Sequence, residues 1–169
     1  AQYDSLVAEF FENKENAFPD QKVISLNKVQ ELRYGENPHQ AGALYKINSV
    51  DKIINNNLGP IQLHGKAMSY VNILDADAAF KLVCDFDQPA LAIIKHTNAC
   101  CFAAGSESIS DLYNSALENG DAVSAFGGIV AVNRKIDKEF AETIREKTSP
   151  INGSKMFFEI IIAPEITSD

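Results

Sequence analysis

Ala90-Leu91-Ala92-Ile93-Ile94-Lys95-His96-Thr97-Asn98 is the stretch whose reading decides the fold. An apolar run, Ala90 to Ile94, leads into an adjacent lysine and histidine, with Pro89 ahead of it and small, polar residues behind. A short continuous apolar run bounded by turn signals reads as a strand buried on both faces. Lys95 and His96 then fall where the strand emerges. In open α/β sheets, ligands bind beyond the carboxyl ends of the strands. This pair is therefore the first candidate for chemistry.

Working outward, the segment from about Val71 to Phe86 has helical periodicity. Val71, Leu74, Ala78 and Leu82 line one face with Ala79, Val83 and Phe86 beside it, while Asp75, Asp77, Lys81 and Asp85 face elsewhere. Ser69 stands ready to cap it. Asn72 sits in its first turn, where backbone N–H groups lack internal partners and anions are welcome. The plainer reading of Asn72 is an indifferent polar residue. Downstream, residues 97–107 read as a loop. Ser108 with Asp111 fits a capping pattern for a helix through Leu117 that Gly120 ends. Asp121 to Gly128 leads into a short buried strand, Ile129 to Val132. Gly127 and Gly128 beside a strand let a ligand or another backbone come close, a bulge being the alternative. Asp137 caps a helix through Lys147 that carries Phe140, Ile144 and a basic last turn. Pro150 and Gly153 mark a turn, and Phe157 to Ala163 is a last apolar strand stopped by Pro164. Strands alternating with helices imply βαβ units, an α/β fold with a largely parallel central sheet and helices on its faces. Thr167, Ser168 and Asp169 are N-cap residues and read as the start of a further helix.

Before residue 71 the pattern is weaker. Residues 4–14 read as a helix with a stripe of Leu6, Val7, Phe10 and Phe11, capped by Asp4 and broken at Pro19 within Asn16 to Asp20. Val23 to Leu32 reads as extended and Ala43 to Ile47 as a strand. Asp51 to Gln62 is Asn-rich and irregular. Between the extended segments lies Leu32 to Gln40, dense in polar groups, where Gly35 permits positive φ and Pro38 biases Asn37 toward extended geometry. Arg33 can fork onto a phosphate or carboxylate. From spacing alone, Arg33 as a surface charge and His39 as a packed histidine are the plainer readings.

The chain of 169 residues suits one domain, or one and a fragment. A chain of this length buries roughly 70% of its unfolded surface, so its core needs no staples. The net charge of -8 and pI near 4.9 argue against a broad nucleic-acid footprint, which needs clustered Lys and Arg. A small anionic ligand needs only a local cluster of donors. No apolar run approaches the roughly 18 residues of a membrane span. Ala1-Gln2-Tyr3-Asp4 lacks the regions of a signal peptide. The three cysteines, two of them adjacent, form a reduced, cytosolic pattern, so a cytoplasmic location is expected.

Lys95 beside His96 suits proton shuttling, because a buried lysine drops toward a useful pKa and a histidine exchanges protons near neutrality. Lys95 can equally hold an anion, and spacing does not choose between these roles. His96, Cys100 and Cys101 are soft ligands close in sequence, yet adjacent cysteines rarely reach one ion together. The zinc-deaminase pattern is also missing. No metal is therefore expected, and the cysteines read as buried and reduced. His64 reads as a surface residue. No glycine-rich phosphate loop is present.

Leu32 to Gln40 (LRYGENPHQ), Met68 to Ala76 (MSYVNILDA), Ile93 to Asn98 (IIKHTN), Asp121 to Val130 (DAVSAFGGIV) and Glu159 to Pro164 (EIIIAP) follow one another in this order. Together they resemble the formyltransferase part of the AICAR transformylase/IMP cyclohydrolase family, a bifunctional purine-biosynthesis enzyme, over about residues 28–166. The resemblance implies a three-layer α/β/α, cytidine-deaminase-like subdomain over residues 28–169, truncated at its C-terminus. Residues 1–27 would be a linker helix following a cyclohydrolase domain that this chain lacks. It implies formyl transfer from 10-formyltetrahydrofolate, a co-substrate, to the 5-amino group of AICAR, giving FAICAR, without a catalytic metal. It assigns Lys95 and His96 as the catalytic pair. Arg33, Tyr34 and Asn72 would hold the AICAR ribonucleotide, with Phe126, Gly127 and Gly128 packed along it. Active sites would be built across a cytoplasmic homodimer, with no nucleic acid or membrane partner. The family's usual Pro-Cys-Gly after Lys-His-Thr-Asn is here Ala99-Cys100-Cys101, which should loosen or reshape the segment after the pair. The competing expectation is a non-catalytic purine-ribonucleotide-binding module.

Overall fold

Ala90–Lys95 forms a strand whose first five residues are all buried, as a continuous apolar run should be when both faces of a sheet are covered. The computed structural model describes residues 2–11, 24–48 and 60–167. In chain order its elements are α1 (Gln2–Phe11), β1 (Ser25–Glu31), β2 (Ala43–Asn48), α2 (Tyr70–Cys84), β3 (Ala90–Lys95), β4 (Asn98–Ala104), α3 (Ile109–Asn119), β5 (Ile129–Val132), α4 (Lys138–Glu146) and β6 (Ile160–Ile162). They divide into two units, Ala1–Tyr70 and Val71–Asp169.

In the first unit β1 and β2 pair antiparallel, from Ser25 opposite Asn48 to Glu31 opposite Ala43. The connection between them is tied across its base by Leu32 N–H to Gly42 O at 2.9 Å and Gly35 N–H to Gln40 O at 2.8 Å. Arg33 N–H donates to Met68 O at 2.9 Å and Tyr70 N–H to Tyr34 O at 3.1 Å, so the extended backbone continues past β1. Leu26, Val29, Tyr45 and Ile47 are exposed on the ribbon. On α1, Phe10 and Phe11 are exposed and stack edge to face at 5.3 Å. Residues 12–14, the break at Asn16 to Asp20, Val23 and most of Asp51 to Gln62 lie outside the described residues.

In the second unit the sheet order is β4-β3-β5-β6. It is a mixed sheet, not the largely parallel one expected from alternation. β3 is antiparallel to both β4 and β5, and only β5 with β6 is parallel. The discrepancy has one source. Residues 97–107 read as a loop, but Asn98–Ala104 is a strand joined to β3 by the two-residue turn His96–Thr97. A two-residue connection can only reverse the chain. β4 and β5, both antiparallel to β3, then run parallel to each other on either side of it. α3 supplies the crossover between them, and α4 that between β5 and β6.

Alternate residues of β3 feed two apolar clusters. Leu91 and Ile93 join Val130, Val132, Leu112, Tyr113, Leu117, Phe140 and Ile144 from β5, α3 and α4. Ala90, Ala92 and Ile94 join Ile129 and Ala131 of β5 with Ala76, Ala79 and Val83 of α2. The second cluster is rich in alanine, supplied by Ala76 and Ala79 of α2 and by Ala90, Ala92 and Ala131 of the sheet. This orients α2 differently from its expected face. Leu74 is exposed, and Asp75, Ala76, Ala79 and Val83 are buried. Ser108 caps α3 by accepting from Asp111 N–H at 3.1 Å, and Gly120 ends it. Asp137 caps α4, accepting from Phe140 N–H at 2.9 Å. The last strand is shorter than Phe157 to Ala163, covering only Ile160–Ile162. Ser168 and Asp169 lie outside the described residues.

Asn133, just after β5, binds α2 to the sheet. Its side-chain amide donates to the carbonyls of Val83 (3.0 Å), Phe86 (2.8 Å) and Gln88 (2.9 Å), and its oxygen accepts from Ala90 N–H at 2.8 Å. Removing a side chain that serves several partly buried backbone groups strands them, at about 1–3 kcal/mol per unsatisfied group. Asn133→Ala should therefore destabilise the chain by about 2–3 kcal/mol, read as a lowered midpoint in urea unfolding followed by circular dichroism.

Candidate active site

The turn from β3 to β4 gathers the chemistry. Lys95 and Asn98 form its closing pair, with His96 and Thr97 between them. Both central residues are left-handed, His96 at φ 53° and Thr97 at φ 59°. A two-residue hairpin turn of type I′ demands positive φ at both positions and is usually filled by Asn-Gly. A β-branched threonine there is a genuine outlier. The turn's shape is held from within and from outside. His96 O accepts from Thr97 Oγ1 at 2.7 Å and from Asn98 Nδ2 at 2.8 Å. From α2, Asp75 accepts His96 N–H on Oδ2 at 3.1 Å and Thr97 N–H on Oδ1 at 2.8 Å.

Lys95 is half-buried, and its Nζ donates to Phe126 O at 2.9 Å. The segment Asp121 to Gly128 therefore lies against the end of β3. Its shape is set locally by Asp121, whose carboxylate accepts Val123 N–H, Ser124 N–H and Ser124 Oγ at 3.1, 3.0 and 2.6 Å. Ser124's hydrogen bonds hold the Asp121 carboxyl below its ordinary pKa. Gly127 has φ 77°, and a Cβ there would lie 4.0 Å from Lys95 Nζ. At Gly128 a Cβ would meet the carbonyl oxygens of Ala125 and Ile94 at 3.0 Å each. The double glycine thus marks a close approach of backbone to β3. Phe126 packs against Phe157 at 6.1 Å.

Of the residues singled out beforehand, Lys95, Phe126 and Gly127 come together around the lysine amine, and Gly128 packs beneath them on Ile94. His96 is exposed on the turn beside Lys95. Asn72 is half-buried in the first turn of α2, three residues before Asp75 and so on the same side of the helix. Arg33 and Tyr34 belong to the first unit. There Arg33 Nη2 donates to Tyr34 Oη at 3.2 Å and the guanidinium lies 4.9 Å from the centre of the tyrosine ring.

Asp75 is the residue that sequence reasoning missed. One of three acidic residues between Val71 and Phe86 gives no sign of facing inward. Its spacing from Ala79 and Val83 at i+4 and i+8 is the signal that could have found it. Ala99, Cys100 and Cys101 lie within β4, not in a loop. Cys101 pairs with Ile93 and Ala99 with Ile94, which leaves Cys100 as the extra residue of a bulge. Cys101 is buried and its thiol is pushed up to about 11, first by burial and then by Cys100 and Asp121. Burial also raises Cys100, as does Asp121, while the Lys95 charge opposes them. Among the described residues, no group of three or more His, Cys, Asp or Glu is placed to hold a metal ion. None of the described helices is long and apolar enough to cross a membrane. His64 is exposed, as its sequence surroundings suggested.

Comparison with known proteins agrees with the motif order. Residues 1–169 match the family described as AICARFT/IMPCHase bienzyme. The chain is 43% identical over 171 residues to the bifunctional purine biosynthesis protein PurH of Caldicellulosiruptor saccharolyticus, covering 100% of this chain and 31% of that protein. It is 42% identical over 170 residues to the PurH protein of Listeria monocytogenes serotype 4a, again 100% of this chain and 31% of the relative. Against PurH of Clostridium perfringens it is 40% identical over 167 residues, 99% of this chain and 30% of the relative. The chain thus spans about a third of the length of the curated relatives it matches.

The cysteine environments give a direct chemical test. The thiolate is the reactive form, so a thiol whose pKa is raised is less reactive at a given pH. At pH 8 iodoacetamide should modify the exposed Cys84 first, Cys100 more slowly, and Cys101 only once the chain unfolds, as read by peptide mass spectrometry over time.

Proposed function

Because this chain belongs to the AICARFT/IMPCHase bienzyme family, we propose that it is the part of a purine-biosynthesis enzyme that carries the Lys–His half of a formyl-transfer site. The observation supporting this most is the pairing at the end of β3. A half-buried lysine is held by a main-chain carbonyl, and a histidine is presented beside it on a left-handed turn.

The reaction needs two proton movements. The 5-amino group of AICAR attacks the formyl carbon of 10-formyltetrahydrofolate, forming a new C–N bond. The bond from that carbon to N10 of the folate breaks, the amine gives up a proton and N10 takes one. In this reading His96 receives the amine proton, as a group that exchanges near neutrality can. Lys95 steadies the negative charge developing on the formyl oxygen and assists protonation at N10. Arg33, Tyr34 and Asn72 hold the ribonucleotide, the guanidinium suiting a phosphate through its fork of donors. Phe126, Gly127 and Gly128 pack along it, and the missing side chain of Gly127 lets a ligand approach the backbone beside Lys95.

The reading extends to architecture. Residues 1–27 serve as a linker after a cyclohydrolase domain, and 28–169 form the first subdomain of a cytidine-deaminase-like, three-layer transformylase region. The remaining site residues come from a second subdomain and from a partner copy in a cytoplasmic homodimer.

Two results follow. Carried at the full length of its relatives, the protein should convert AICAR to FAICAR, and His96→Ala should lower kcat by about 10²–10⁴-fold, the range for losing a general base, with an unchanged circular dichroism spectrum. Near-normal turnover by the variant would refute the role of His96. The 169-residue chain alone should show almost no formyl transfer in the same folate absorbance assay. Calorimetric binding of AICAR with no turnover at full length would instead indicate a nucleotide-binding module without chemistry.

A further inference from the structure

We infer that Asp75 is the positioning residue of the site: its carboxylate holds the His96–Thr97 turn in its left-handed form and thereby aims the Lys95–His96 pair. This rests on the formyl-transfer reading above for what the pair does, and on the turn geometry for what Asp75 does.

The carboxylate is buried, with only 6% of the residue exposed. A buried carboxylate is costly unless hydrogen bonds satisfy it. Its two oxygens are divided between two neighbouring amides, His96 N–H on one and Thr97 N–H on the other. Both amides belong to residues with positive φ, the uncommon condition for side chains bearing a Cβ. Strained backbone persists where its surroundings over-determine it, and such strain collects at functional sites. Asp75 supplies that outside constraint, from an element 21 and 22 residues away in sequence. A carboxylate suits this task and an amide does not. An asparagine would turn an NH2 donor toward one of the two N–H groups, opposing donor to donor.

Geometry transmits the effect to the chemistry. Lys95 is the last residue of β3, and its main chain leads directly into His96. If the turn relaxes toward ordinary φ, the direction of the imidazole changes, while Lys95 stays tied to Phe126 O. Displacing one member of a positioned pair by about 1 Å can cost on the order of 10²-fold in rate. The ribonucleotide contacts assigned to Arg33, Tyr34 and Asn72 do not involve Asp75 itself, so nucleotide affinity should change little.

The test is a cycle of Asp75→Asn and Thr97→Gly in the protein at the full length of its relatives. Glycine adopts positive φ without a Cβ penalty and is the favoured second residue of this turn type, so Thr97→Gly removes much of what Asp75 has to hold. Asp75→Asn should lower kcat by about 10–100-fold while KM for AICAR stays within about threefold, the signature of an interaction realised in the transition state. In the Thr97→Gly background the same replacement should cost at least about fivefold less in kcat. Should Asp75→Asn fail to fold, the double variant should fold again. Equal losses in both backgrounds, an unchanged kcat, or a double variant that stays unfolded would each overturn the inference. A wild-type protein without formyl transfer would refute the proposed function instead. The hold on the turn would then be read from the same cycle in unfolding temperature, where additive shifts would sink it.

Discussion

A two-residue reversal between β3 and β4 is the constraint on which the second unit depends. Two left-handed residues in succession send the chain straight back along β3, which makes β3 an interior strand and β4 an edge. With β4 on one side of β3, the next strand to pair with β3 adds on the other. α3 carries the chain across, and β5 arrives antiparallel to β3. The start of β5 then lies beside the end of β3, and the Asp121 to Gly128 segment that precedes it meets Lys95. The meeting of lysine, histidine and double glycine is thus a result of topology before it is one of side-chain chemistry.

Packing makes the reversal tenable. The side of the sheet facing α2 is built from Ala90, Ala92 and Ala131 against Ala76 and Ala79. Asp75, adjacent to Ala76 on α2, reaches the turn from this side. Bulkier residues at these positions would hold α2 farther off and leave two amides without an acceptor. On the other side, Leu112, Tyr113, Phe140 and Ile144 pack against Leu91, Ile93, Val130 and Val132.

Much of this could be read before the fold was known. The continuous apolar run of β3, the caps at Ser108 and Asp137, and the short buried β5 each follow from local chemistry, and the structure bears them out. Residues that carry their own signal were readable: an apolar run, a capping serine, two adjacent glycines. What could not be read depended on distant partners. Residues 97–107 read as a loop, and the bulge at Cys100 interrupts the alternation that marks a strand. The parallel sheet followed from that omission. Asp75 reads as facing away from the apolar face, yet it is buried because it accepts two amides 21 and 22 residues away. The order of five motifs pointed to the family, which the match over the whole chain bears out.

The bulge at Cys100 has a further consequence. Side chains on a strand alternate, and one extra residue shifts every later one to the opposite side. Here the extra residue restores the phase that buries Cys101 opposite Ile93, and the carbonyl of Cys100 turns away to accept Asp121 N–H at 2.9 Å. The hairpin therefore counts residues more strictly than it selects them. The loss or gain of a single residue between Ala99 and Cys101 would turn the rest of the strand inside out.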